Sequence, residues 1–199
     1  MGAKRAFVDP SVSRAKFERE VAEYRKHEDD YIGRGWWLVK AEFPQVFVVF
    51  GAPAGPLPMV PFGALIDFAD YDALPPSVSL VNPFTREPYL GAHIAFPPLP
   101  RRRTVNTGNG QPPQHTVEHL LQIEGPDKTP FICVPGIREY HEHSAHTGDS
   151  WFVHRKRGEG TLYFILNLLG TYGAGAVKGL GVQLQIVVQG PTTIEEIPL

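Results

Sequence analysis

The residues able to do chemistry are gathered in one stretch, Phe131-Ile-Cys-Val-Pro-Gly-Ile-Arg-Glu-Tyr-His-Glu-His-Ser-Ala-His-Thr-Gly-Asp-Ser-Trp151. It holds the only cysteine, Cys133, two glutamates, Glu139 and Glu142, and three histidines, His141, His143 and His146. His154 follows the tryptophan, so four of the eight histidines fall within 14 residues. Imidazole and thiolate act as nucleophiles, proton carriers and metal ligands. Zinc takes four such ligands in tetrahedral array. In an extended 139–143 segment, Glu139, His141 and His143 share one face. In a helix, Glu139 and His143 lie one turn apart, as do Glu142 and His146. Either geometry joins two or three ligands, and Cys133 can return through the Pro135-Gly136 turn. The spacing matches no zinc finger, and there is no His-Glu-x-x-His.

Two other chemistries compete for the same residues. A cysteine nucleophile needs a depressed pKa, which a histidine or a helix N-terminus supplies. Cys133 also sits among Phe131, Ile132 and Val134, as a buried structural cysteine at a strand end would. A histidine-rich polar loop that binds nothing is the plainest alternative.

The elements that must position this stretch come first in the chain. Residues 1–12 read as a flexible leader. A helix capped by Ser11 or Ser13 runs to about His27, with Phe17, Val21 and Tyr24 on one stripe and charges opposite. Trp36–Phe43, Gln45–Phe50, Val60–Phe68 and Ser77–Val81 read as strands rich in aromatic and β-branched residues. Pro44 allows a tight hairpin or one bent strand, and 51–58 reads as a turn. Short links predict an antiparallel meander, with Trp36, Phe47, Val49, Leu65, Phe68 and Val78 in its core. Residues 82–114 read as loop. They include Arg101, Arg102 and Arg103, three cations suited to phosphate or an acidic partner. Thr116–Ile123 and Pro130–Val134 are short candidate strands. A buried helix comes next at Leu162–Leu169, capped by Thr161 and ended by Gly170, Gly173 and Gly175. Val182–Val188 reads as a late strand and 191–199 as a tail. The expectation is one domain over 13–190.

Composition excludes several classes. Hydrophobic residues make up 42% and charged residues 20% of 199, a globular composition. The formal net charge of -2 gives no case for nucleic acid as main partner. Twenty glycines and twenty prolines argue for turns and against a helical bundle. No 18-residue apolar run exists to span a membrane. The first residues have no signal-peptide core, and the expectation is a cytoplasmic protein, where a lone thiol stays reduced. Walker-type loops, dinucleotide fingerprints and Gly-x-Ser-x-Gly elbows are absent.

Taken in order, these α+β elements resemble the ubiquitin-conjugating-enzyme fold. Asp70-Tyr-Asp-Ala-Leu-Pro-Pro-Ser-Val-Ser-Leu80 is similar to that family's Tyr-Pro-x-x-Pro-Pro stretch entering the fourth strand. Asn82-Pro-Phe-Thr resembles the family's residues just after that strand. Ile132-Cys133 falls where the family has its Ile-Cys-Leu run, and Trp151 stands in for its later tryptophan. The family's His-Pro-Asn triplet is missing, Glu118-His119-Leu120 being the nearest stretch and not a match, and the Cys133–Trp151 interval is longer. The run Cys-x-Pro-Gly-x-x-Glu-Tyr-His-x-His, ending at Asp149-Ser-Trp151, resembles a bacterial predicted metal-binding family named for Cys-Glu-His-His residues.

That resemblance implies a zinc site at Cys133, Glu139, His141 and His146, with Glu142, His143 and His154 as alternates. It also implies bacterial ubiquitin-like conjugation systems, including antiviral defence. The partners implied are a ubiquitin-like modifier, its activating enzyme or another conjugating enzyme, contacted through Arg101, Arg102, Arg103 and Trp151. Two functional expectations stand side by side: an accessory or divergent conjugating-enzyme-like, metal-binding component of such a pathway, or an active conjugating enzyme carrying the modifier as a thioester on Cys133.

Overall fold

The computed structural model describes residues 7–52, 59–105 and 113–178. The expected strand at Val182–Val188, the tail, most of the 51–58 turn and the start of the leader lie outside the described residues.

The first helix, α1 (Pro10–Lys26), begins earlier than expected. Asp9, rather than a serine, is its cap, and its carboxylate accepts the Ser11 N–H at 2.8 Å. Pro10 at the first position has no N–H to satisfy and a φ already set for a helix. The chain just before it is held too: the N–H groups of Phe7 and Val8 donate to Asp70 at 2.8 and 3.1 Å. Residues 7–12 are therefore not a loose leader. A short α2 (Glu28–Gly33) comes next.

Four strands then form an antiparallel sheet in sequence order: β1 (Trp36–Glu42), β2 (Gln45–Ala52), β3 (Met59–Asp67) and β4 (Ser77–Val81). β1 and β2 make the tight hairpin, with Glu42 opposite Gln45 across Phe43-Pro44. A bulge between Leu38 and Lys40 leaves Val39 unpaired and exposed. Strand alternation decides the core. Val46, Val48 and Phe50 face Phe62, Ala64 and Ile66 and are fully buried against α1 and the last helix. Phe47, Val49 and Leu65 lie on the other face. There Phe47 is covered by the Arg86 guanidinium 4.6 Å from its ring, while Val49 and Leu65 are half-buried. The expected core set thus mixes the two faces. Trp36, Phe68 and Val78 do belong to the core.

Residues 82–114 are not all loop. β5 (Pro100–Val105) pairs with β6 (Gln114–His119) as an antiparallel ribbon, and β7 (Leu121–Gln122) pairs with β8 (Phe131–Ile132). The sheet is therefore accompanied by two small ribbons. The periodicity of a solvent-exposed ribbon is weak, because neither face demands apolar residues.

After β8 come α3 (Arg138–Glu142), α4 (Trp151–His154) and α5 (Leu162–Leu168). Thr161 caps α5 as expected, accepting the Phe164 N–H. The helix does not stop at Gly170. It widens into a π turn, Leu169–Gly173. Gly170 serves close approach: a Cβ there would stand 2.1 Å from the Trp36 Nε1. Two polar ties fix α1. Tyr24 donates its hydroxyl to the Trp36 carbonyl at 2.9 Å, and Glu20, nearly buried, accepts the Leu162 N–H at 3.1 Å. Among the described residues no helix is long and apolar enough to cross a membrane.

Candidate functional site

The backbone puts Cys133 at the junction of the two ribbons. Its N–H donates to the Leu120 carbonyl at 2.8 Å, one residue beyond the β7–β8 pairing. Pro135 and Gly136 then turn the chain into α3. The next turn, Ser144–His146, brings a histidine back over the thiol. The Cys133 Sγ lies 3.1 Å from the His146 Nε2. The His146 ring in turn stacks on Tyr140, with centroids 3.8 Å apart and planes at 19°. The thiol is half-buried. Burial, and then the Glu118 carboxylate, push it above the ordinary cysteine range, so the neutral thiol predominates near pH 7.

A second set of polar groups converges on Asp149. The Tyr140 hydroxyl donates to its Oδ2 at 2.7 Å, and the His154 Nε2 lies 2.7 Å from its Oδ1. His154 is only 12% exposed, and its other nitrogen lies 3.0 Å from the Glu159 carboxylate. Hydrogen bonds from His154 and then Tyr140 hold the Asp149 carboxyl below the usual carboxylate range. Burial, and then the bond to Asp149, push the Tyr140 hydroxyl up to about 12, so it remains a donor at any physiological pH. The Asp149 carbonyl is engaged as well, 3.0 Å from the His141 Nδ1, while the His141 Nε2 lies 2.6 Å from the Pro135 carbonyl. Both ring nitrogens of His141 thus face backbone carbonyls.

Two of the four expected metal ligands come together, and two do not. Cys133 and His146 touch. His141 is turned between two backbone carbonyls. Glu139 points the other way, accepting the Ser77 hydroxyl and, at 3.3 Å, the Val78 N–H. It pins α3 to β4, and burial raises its carboxyl above the ordinary range. Of the alternates, His143 stacks on Phe131 with its Nε2 3.4 Å from Glu124. His154 belongs to the Asp149 cluster, and Glu142 is exposed with no polar partner among the described residues. No group of three or more Cys, His, Asp or Glu among the described residues is arranged to hold a metal ion. Two ligands are half of what a structural zinc requires, so the expected set does not fit zinc in this arrangement.

The partner-binding residues are also redistributed. Arg101 and Arg103 lie on one face of β5 and share a single Glu118 oxygen, at 2.7 and 2.9 Å. Arg102 points to the opposite face and is exposed. The triple arginine is a strand whose charges alternate, not a cationic loop. Trp151 is a core residue, 6% exposed, and its Nε1 donates to the Asp72 carbonyl at 2.8 Å. It is not available to a partner.

Four residues of the site are not singled out by the sequence: Tyr140, Asp149, Glu159 and Glu118. The first three can be found by asking what orients each histidine, since a buried imidazole is usually held by an acid or carbonyl. Glu118 depends on the ribbon pairing and has no local signal.

Two comparisons with known proteins bear on this arrangement. The chain is 38% identical over 189 residues to the protein y4jH of Sinorhizobium fredii strain NGR234, with 92% of each chain covered. The Y4jH-like family model matches residues 8–177, a span holding α1, the sheet, both ribbons and the whole histidine segment, and the chain belongs to the Y4jH-like family.

Proposed function

We propose that this protein is an accessory, conjugating-enzyme-like component of a bacterial ubiquitin-like protein modification pathway, binding the modifier or its activating enzyme rather than carrying the modifier itself. The element order supports the likeness: helix, four-strand meander, cysteine segment, buried tryptophan, helix. The observation that carries the binding reading is the state of Cys133. Its thiol is half-buried, packed against His146, and pushed up by burial and by Glu118. A thioester acceptor needs the reverse, an accessible sulfur with a depressed pKa.

The second reading, an active conjugating enzyme, is favoured by one contact. A histidine nitrogen 3.1 Å from a thiol is within reach to take its proton. Incubating the purified chain with the modifier and activating enzyme of the same genome, with ATP, separates the two. Calorimetry should show binding to at least one of them, and non-reducing gels should show no thiol-sensitive adduct. An adduct that disappears in Cys133→Ser would replace the binding reading with the catalytic one.

A further inference from the structure

Beyond the thiol, the turn formed by α4 and the 3-10 segment Arg155–Arg157 has two distinct sides. Its inward residues are fixed. Trp151 is buried and hydrogen-bonded to Asp72, His154 sits between Asp149 and Glu159, and the Arg155 Nη1 lies 3.5 Å from the Asp72 carbonyl. Helical spacing puts Phe152 with Lys156 and Val153 with Arg157 on the other side. Phe152 is 57% and Val153 54% exposed. Lys156 and Arg157 are exposed and make no ion pair among the described residues. The Arg155 guanidinium lies 4.7 Å over the Phe152 ring.

A single exposed hydrophobe needs no explanation. Here two adjacent ones are presented by a turn locked from beneath, beside two exposed cations, Lys156 and Arg157, in a chain whose net charge is -2. Aromatic and arginine side chains are enriched at the anchors of protein interfaces, and a backbone already fixed by its inward residues loses little entropy on docking. We propose that Phe152, Val153, Lys156 and Arg157 form a docking surface for a folded protein partner whose contact patch is apolar at its centre and carboxylate-rich at its rim. The charge excess selects an acidic partner, and the apolar pair supplies the desolvated centre. The surface lies on the side of the α4 turn opposite the His154 side chain, which faces Asp149 and Glu159. The inference rests on the binding reading above.

The test uses the full chain with purified modifier and purified activating enzyme as probes, with calorimetry at low and high salt. Two double variants are compared with wild type, Phe152→Ser with Val153→Ser and Lys156→Glu with Arg157→Glu. Arg102→Glu serves as a charge control on the ribbon. All four side chains are exposed, so circular dichroism and melting temperature should be unchanged. The expected result is at least a tenfold loss of affinity in both double variants, a marked weakening of wild-type binding with salt, and wild-type affinity in Arg102→Glu. Wild-type binding that both double variants retain overturns the docking surface and leaves the binding reading standing. Failure of wild type to bind either probe ends both. Double-variant-sensitive binding to phosphatidylglycerol vesicles, with no effect on protein binding, overturns the protein partner in favour of a membrane surface.

Discussion

The carboxylate of Glu20 on α1 accepts the backbone N–H of Leu162 at the start of α5, joining two helices 142 positions apart in the chain. That N–H is an orphan donor at a helix start, and the nearly buried Glu20 carboxylate satisfies it. Glu20→Ala should therefore lower stability by about 1–3 kcal/mol, the cost of a buried donor left without an acceptor. Glu20→Gln keeps an acceptor oxygen and should lose clearly less. Urea denaturation of both variants checks this, and equal losses would mean that side-chain packing rather than the hydrogen bond holds the junction.

Gly170 should tolerate no side chain. A Cβ there would stand 2.1 Å from the Trp36 Nε1, far inside contact distance. Gly170→Ala should cost at least about 1–3 kcal/mol, the usual penalty of overpacking. Pairing it with Trp36→Leu should recover part of that loss, because the two residues share one space. Strict additivity in the double variant would refute the contact.

Cys133 should alkylate slowly in the native protein. Its thiol is raised by burial and by Glu118, so less thiolate is present near neutral pH than in a free cysteine. The thiolate is the attacking form, so the rate falls in proportion to that loss. It should climb only as pH rises beyond the usual thiol range. Glu118→Gln removes one of the two causes and should displace the profile towards lower pH. Mass-spectrometric iodoacetamide labelling across pH measures this, and a native rate equal to that of the urea-unfolded chain would contradict it.

Metal removal should leave the fold intact. Only Cys133 and His146 of the expected zinc set meet, while Glu139 and His141 are committed to protein partners. The melting temperature should be the same with and without chelator. A large fall, with zinc released stoichiometrically from the chain, would mean that Glu139 and His141 leave those partners for a metal.

Much of the scaffold was legible because its residues carry a strong period. The meander strands are dense in Val, Phe and Ile, and the α1 stripe of Phe17 and Tyr24 is regular. Which strand face is buried was not legible. With apolar residues at Val46, Phe47, Val48, Val49 and Phe50 in succession, alternation gives no sign. Glu20 reads as part of a charged face because nothing local reveals that α5 starts beside it. Within the site, the Cys133–His146 pairing was foreseeable from clustering. The fates of Glu139 and His141 were not. Whether a carboxylate caps a neighbouring strand or turns towards a thiol depends on a Ser77 hydroxyl 62 residues away.

The ties within the histidine segment are short-range: Cys133 to His146, Tyr140 to Asp149, His141 to Pro135. Many of its outward ties converge on residues 69–78. Arg138 reaches the Ala69 and Pro75 carbonyls, Glu139 reaches Ser77 and Val78, and Trp151 reaches Asp72. A unit with short-range internal ties and most of its outward hydrogen bonds along one seam tends to open as a piece. Amides from Arg138 to His154 should then exchange with a common free energy below that of β2 and β3. Releasing the seam by Arg138→Ala should lower their protection together while the sheet keeps its own. The thiol would become reachable through that opening, with the sheet still folded beneath it.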